Sequence, residues 1–258
     1  LVVFLTGFFA ISVIALSKSG FASGLGIAGL PILALAMPAR EAAGVLLPVL
    51  LLMDVMSVYA YRRDVDWSLF WLVLPGGIIG TAIGWLLAAF IPEAIVVLLV
   101  AFITLVFVAD SILPLRSWLG LTARNVDQPA PRSTPKGVFW STVSGFTSFL
   151  VLAGGPPFQI YTLPLKLPHI QLAGTTAWYF AFINLAKVVP FFLLGQLSAT
   201  NLQLSAILVI PAIIMMFVGF YLVRRVSMKQ YYAIAYVVVA LAGLKLLYDG
   251  IAGLLGGA

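Results

Sequence analysis

The sequence predicts an all-α, polytopic integral membrane protein. It reads as two inverted repeats, each with a broken helix or helical hairpin plus three transmembrane helices, about 8–10 helical segments in all. Three observations carry this. The 258 residues are 63% hydrophobic and 9% charged, with a mean hydropathy of +1.15, outside the range of soluble domains. Residues 19–31 and 144–156 repeat each other without a gap, sharing Ser19/Ser144, Gly20/Gly145, Phe21/Phe146, Ser23/Ser148, Leu25/Leu150, Ala28/Ala153, Gly29/Gly154 and Pro31/Pro156. The only long polar stretch, residues 116–136, separates two hydrophobic halves of similar size. The expected organisation is therefore a first membrane repeat over 1–118, a cytoplasmic linker over 119–136 and a second membrane repeat over 137–258.

A helix needs about 20 apolar residues to cross the bilayer core. Residues 1–16 are read as part of the first membrane segment instead of a signal peptide, because no basic leader precedes them and the apolar pattern continues beyond Lys18. Segments of spanning length then run over about 43–61, 68–90, 93–114, 171–195, 203–223 and 230–249. Two others, about 2–37 and 137–165, are longer than one crossing and contain the repeated motif. Glycine and proline interrupt the helical hydrogen bonds there, so each is expected to be a hairpin or a helix broken within the membrane. Trp67, Trp71, Trp118 and Trp140 fall near segment boundaries, as interfacial belt residues do. Asp110 and Lys245 fall near helix ends.

Loop charge gives orientation, because cytoplasmic loops are enriched in Lys and Arg. The basic loops carry Arg62 and Arg63; Arg116, Arg124, Arg132 and Lys136; and Arg224, Arg225 and Lys229. The loops near Glu93 and over 196–201 are poor in them. All three basic loops lie inside only if 137–165 starts and ends on one side. Corresponding loops of the two halves then face opposite ways, which is an inverted repeat. Arg40, offset by Glu41, falls outside in this scheme and is an objection to it. Parallel repeats are the competing arrangement, and they place one arginine pair outside.

Several functions are excluded or disfavoured by what the chain lacks. With no cysteine and one histidine, His169 beside Pro168, neither a thiolate nor a histidine-built metal site is expected, and no cofactor is implied. The net charge of +6 is scattered over short loops and reads as topology instead of nucleic-acid binding. No His-Glu-x-x-His, Gly-x-Ser-x-Gly or phosphate-cradling Gly-x-x-x-x-Gly-Lys-Ser/Thr sequence occurs, so no catalytic residue is assigned and an ATP-driven pump is disfavoured.

The repeated motifs are the first candidate site. Gly24, Gly26 and Gly29 precede Pro31, and Gly154 and Gly155 precede Pro156 and Pro157. Proline suits the first turn of a helix, so each motif predicts an unwound stretch followed by a helix whose N-terminus lies inside the protein. Such termini offer free N–H groups and partial positive charge to an anion. Tight helix packing is the competing role for these glycines.

Ionisable residues within membrane segments are the second signal, since a charge there is costly and turns toward a polar cavity. Lys187 lies in Asn184-Leu185-Ala186-Lys187, with Asn184 three residues earlier on the same helix face. Snorkelling to the outer interface is the alternative for Lys187. Lys18, flanked by Ser17 and Ser19, sits just before the first motif and is a candidate donor to the same anion, with a helix end at the membrane interface as its alternative; Ser19, the first residue of the motif, is a candidate beside it. Aligning Pro38 with Pro168 and Gly44 with Gly174 sets Asp54 opposite Asn184 and Ser57 opposite Lys187. Asp54 is thereby a candidate for the same cavity, as an ion-pair partner for a lysine or as a proton carrier. Gln159, Tyr161, Thr175 and Thr176 are candidate hydrogen-bonding residues near the second motif, with interhelical bonding as their other role.

These residues resemble the TauE/SafE group of bacterial membrane proteins. The similarity lies in Gly20-Phe21 through Pro31, in Gly145-Phe146 through Gly154-Gly155-Pro156-Pro157, in Tyr61-Arg62-Arg63-Asp64-Val65-Asp66-Trp67, and in Asn184…Lys187…Pro190…Gly195. The resemblance spans nearly the whole chain. It implies a multi-pass protein of the bacterial inner membrane that acts as a secondary transporter, commonly an exporter, of sulfite, sulfonates or related small anions. The expected mechanism is alternating access, with the anion held between the two broken helices. A non-transporting assembly partner of another membrane complex is the main alternative, and an intramembrane enzyme a weaker one. The expected partners are the anion and the lipid bilayer, and a homodimer is left open.

Overall fold

The computed structural model describes residues 2–19, 25–113, 129–222 and 229–255. Outside the described residues lie Gly20, Phe21, Ser23 and Gly24 of the first motif; Arg116, Trp118, Arg124, Asn125, Asp127 and Gln128 of the linker; and Arg224 and Arg225. The side chains of Asp110 and Lys229 also lie outside them.

Among the described residues the chain forms ten α-helices and no strand. In the first half these are α1 (Val2–Lys18), a 3-10 turn (Leu25–Ala28), α2 (Gly29–Ala34), α3 (Ala39–Tyr61), α4 (Trp67–Ala88) and α5 (Glu93–Ile112). In the second they are α6 (Thr134–Val151), α7 (Gly155–Thr162) with a 3-10 turn (Leu163–Leu165), α8 (His169–Leu193), α9 (Ala199–Leu222) and α10 (Lys229–Leu255). Of these, α3, α4, α8 and α9 are long and apolar enough to cross a membrane. The protein is a polytopic membrane protein, and its large exposed side chains are those of a lipid-facing surface, such as Ile79, Leu86, Ile210, Phe217 and Phe192.

Both overlong segments break where the motifs predict. In the second, α6 stops at Leu152, whose backbone is left-handed (φ 52°) and whose N–H bonds back to the Ser148 carbonyl at 3.2 Å. A side-chain-bearing residue is uncommon in that region, and here it turns the chain over within the core. Proline at positions 156 and 157 then occupies the first turn of α7. The Ala130 N–H bonds to the Pro164 carbonyl at 2.9 Å, so this segment starts and ends at the same end of the protein, as a hairpin.

The arrangement of the halves follows from contacts between glycines and backbone. An ideal Cβ on Gly44 of α3 would lie 2.1 Å from the carbonyl oxygen of Gln196, just past the end of α8. One on its counterpart, Gly174 of α8, would lie 2.0 Å from the carbonyl oxygen of Asp64, just past the end of α3. The start of each helix thus packs on the end of the other, and the matched helices α3 and α8 run antiparallel. That is the relation an inverted repeat requires.

The same exchange holds for the remaining helices. α4 packs on α6 of the other half, and α9 packs on α1. Both pairs are parallel: Gly76 faces Val138 and Ser141 while Gly84 faces Phe149, and Gly7 faces Leu208 while Gly219 faces Ser19. Close approach at small residues is how membrane helices gain packing when no hydrophobic drive separates them from lipid. α5 and α10, matched to each other, also pack together.

The charged residues at the two ends find specific partners. Asp66 caps α4 by accepting from the Leu69 N–H at 2.9 Å and is ion-paired with Arg132. At the opposite end Arg40 pairs with Glu93 at 3.1 Å, not with the expected Glu41. Its guanidinium also donates to the Ala88 carbonyl at 2.9 Å and to that of Ile91. The partner differs because α3 delivers Arg40 to the α4–α5 turn, where carbonyls at a helix C-terminus lack intrahelical donors. Trp67 and Trp71 are exposed near the Asp66 end, and Lys245 pairs with Asp249 one turn on in α10.

Candidate functional site

The floor of the site is assembled from charges that the membrane interior would otherwise penalise. Lys18, the last residue of α1, donates to Asp54 Oδ1 on α3. Asn184 on α8 donates from Nδ2 to Asp54 Oδ2 at 2.7 Å, and its Oδ1 accepts from Lys187 Nζ at 2.9 Å. Lys187 also donates to Ser148 Oγ on α6 at 2.7 Å. Lys187 is fully buried, and Asp54 and Asn184 are nearly so. One continuous chain of hydrogen bonds therefore joins four helices drawn from both halves.

This floor closes a cavity of about 260 Å³. One face of α8 lines it from His169 through Thr176 and Phe180 to Asn184 and Lys187. Eighteen rises of about 1.5 Å from His169 to Lys187 make that face about 27 Å long. His169 and Leu163 are exposed and Lys187 is not, so the mouth is at the end that carries Arg62, Arg63 and the Asp66–Arg132 pair. Beyond Lys187 the protein is closed by Phe149 and Phe191, edge to face at 5.3 Å, and by the contact of Gly44 with residue 196.

Of the residues singled out from the sequence, Lys18, Gly26, Asp54, Gly155, Gln159, Thr176, Asn184 and Lys187 line the cavity. Both motifs thus reach it, through Gly26 and Gly155. Five others do not line it, and each has a packing reason. Ser19 is buried against Gly219 and donates to the Leu16 carbonyl at 2.8 Å. Gly29 lies against Ile14, where a Cβ would come within 2.2 Å of Cδ1. The Gly154 carbonyl accepts from Ser144 Oγ at 2.7 Å. Tyr161 sits in a separate apolar cluster with Leu69, Phe158 and Tyr179. Thr175 accepts from the Asp66 N–H at 2.9 Å and donates to the Gln171 carbonyl at 2.8 Å. Its neighbour Thr176 faces the cavity instead.

The sequence reading did not assign Ser148 to the site, although Ser148 belongs to the repeated motif and accepts from Lys187. His169, which the sequence marks only as an implausible metal ligand, stands at the mouth. Among the described residues no group of His, Cys, Asp and Glu side chains is placed to hold a metal ion.

At the mouth, the Asp66 carboxyl would be raised by burial. The bond from Arg132, the Leu69 N–H and the charge of the guanidinium outweigh this and hold it below its ordinary value.

A polytopic bundle of matched antiparallel helices, broken segments and a buried cluster of charges at the floor of a one-sided cavity is the architecture of a membrane transporter. The chain belongs to the sulfite exporter TauE/SafE family, whose model matches residues 8–246. No curated protein and no solved structure matches it. The family is one of transporters, in keeping with a function other than catalysis.

Proposed function

We propose that the protein is a secondary transporter that exports small sulfur-containing anions, sulfite or organosulfonates, by alternating access. The observation that carries this reading is the buried floor of the cavity, where two lysines stand against a single carboxylate. Lys187 is the contact for the anion: its two hydrogen bonds go to neutral oxygens, and an ammonium has three N–H groups. Gly155, at the N-terminus of α7, lines the same cavity; Pro156 and Pro157 carry no N–H and the Phe158 N–H donates to the Gly154 carbonyl at 3.3 Å, so in that first turn the Gly155 N–H is the backbone donor left to meet an anion. Gln159 and Thr176 supply further polar contacts.

Orientation supports export from the cytoplasm of a bacterium across its inner membrane. The mouth is at the arginine-rich end, which the positive-inside rule assigns to the cytoplasm, and the structure is then a loading state. On this reading 1–118 and 137–258 are the two repeats, joined by a cytoplasmic linker. Their opposite orientation makes an outward-open state available by exchanging the conformations of the halves.

The test is efflux of sulfite and of a panel of sulfonates from vesicles containing the purified protein, with Lys187→Ala alongside. Transport of at least one of these anions, lost in Lys187→Ala, is expected. Equal flux with and without the protein, or an unchanged rate in the variant, would sink the proposal.

A further inference from the structure

The charge at the floor of the cavity is set by a mismatch between the repeats. Among the described residues four ionisable side chains line the cavity, and three of them, Lys18, Asp54 and Lys187, meet at its closed end; the fourth, His169, is at the mouth. With both lysines protonated, two ammoniums against one carboxylate leave one net positive charge. Asp54 and Asn184 occupy matched positions, as do Ser57 and Lys187. Aspartate at both 54 and 184 would cancel both lysines, and asparagine at both would leave both uncompensated. The pairing of one with the other gives the intermediate value.

Geometry assigns the surplus charge to Lys187. Both Asp54 oxygens are committed, Oδ1 to Lys18 and Oδ2 to Asn184. Lys187 meets Asp54 only through the neutral amide of Asn184. With the floor almost wholly buried, a charge left unbalanced there is strongly disfavoured.

We propose that Asp54 fixes the valence of the transported anion at one. This rests on the reading of the cavity as an anion seat. A singly charged headgroup brings the floor to neutrality. A doubly charged one leaves a buried negative charge beside the Asp54 carboxylate. Asp54 is on this account a specificity-determining residue that acts through the charge count and need not touch the substrate.

The experiment measures binding of ethanesulfonate and 1,2-ethanedisulfonate to the purified protein by titration calorimetry at pH 7, where both are fully ionised. The wild type is expected to favour the monovalent anion. Asp54→Asn, which adds one positive charge to the floor, should move the ratio of affinities toward the divalent anion by about tenfold or more. Lys18→Gln neutralises the floor and should weaken ethanesulfonate binding by about tenfold. Adding Asp54→Asn to Lys18→Gln removes a second polar residue yet should restore monovalent binding. That rescue decides the matter even if Asp54→Asn alone does not fold, since a merely structural ion pair would not produce it. Binding by the wild type with the same ratio in every variant, or no rescue in the double variant, overturns the assignment of valence. No binding of either anion by the wild type overturns the anion seat itself, and this inference with it.

Discussion

Asn184 and Asp54, 130 positions apart and matched between the halves, bond side chain to side chain at 2.7 Å. A residue pair related by the internal repeat thus lies where the halves meet, and Asn184 passes the contact on to Lys187. Asn184→Leu keeps the approximate volume but leaves the Asp54 oxygen and the Lys187 ammonium each short of a partner. An unsatisfied buried polar group costs about 1–3 kcal/mol, and more if charged. The expected result is a clear fall in the melting temperature of the detergent-solubilised protein, with loss of transport. Asn184→Asp sets two carboxylates against each other and, by making the floor neutral, should weaken monovalent anion binding by about tenfold. A melting temperature unchanged in Asn184→Leu would show that the pair does not hold the halves together.

Two glycines separate packing from function. A Cβ on Gly80 would lie 1.9 Å from the Thr142 carbonyl oxygen, whereas one on Gly155 meets nothing within 4 Å. Gly80→Ala must therefore push α4 off α6, and loss of monodisperse protein on size exclusion is expected. Gly155→Ala should retain the wild-type elution profile and melting temperature while placing a methyl group in the cavity, so its effect should appear in transport alone. Equal stability of both variants would contradict the close approach of α4 and α6.

The Asp66–Arg132 pair predicts a specific pH dependence. Because the folded carboxyl is held below its ordinary value of 3.8, the pair adds stability above the unfolded value and loses it as the pH falls through the lower, folded one. Asp66→Asn keeps a capping side chain on α4 but removes the charge. The variant should melt below the wild type at pH 7, and the difference should shrink only in strong acid, below about pH 4. A difference that vanished between pH 5 and 7 would implicate another group.

Orientation is directly measurable because the chain has no cysteine. Arg63 and Thr200 are exposed at opposite ends. A membrane-impermeant maleimide is expected to label Thr200→Cys in intact cells and Arg63→Cys only after permeabilisation. The reverse pattern would place the cavity mouth outside and turn the structure into a loading state for uptake.

Much of the fold was legible because bilayer thickness fixes helix length: the expected spans 68–90 and 171–195 differ from α4 and α8 by only about two residues at either end. The buried charges were legible for a related reason, since the cost of a membrane-embedded Lys187 or Asp54 leaves a polar cavity as its natural place. What the sequence does not encode locally is which way a side chain turns. Thr175 and Thr176, or Gly154 and Gly155, are adjacent in the chain but about 100° apart around a helix, and only tertiary packing decides which faces the cavity. Arg40 illustrates the same limit. Glu41 is its neighbour in sequence, while Glu93 becomes its partner only once α3 and the α4–α5 turn have met.

The crossed packing of the halves bears on how the chain is made. α4 rests on α6, which is synthesised later, and α1 rests on α9, which follows nearly all the rest. During insertion the α4–α6 and α1–α9 contacts cannot form within one half, so the faces of α1 and α4 that carry Gly7 and Gly76 to Gly84 must wait in the bilayer for partners still on the ribosome. α1 enters the membrane well before α9 and keeps that face uncovered until α9 follows.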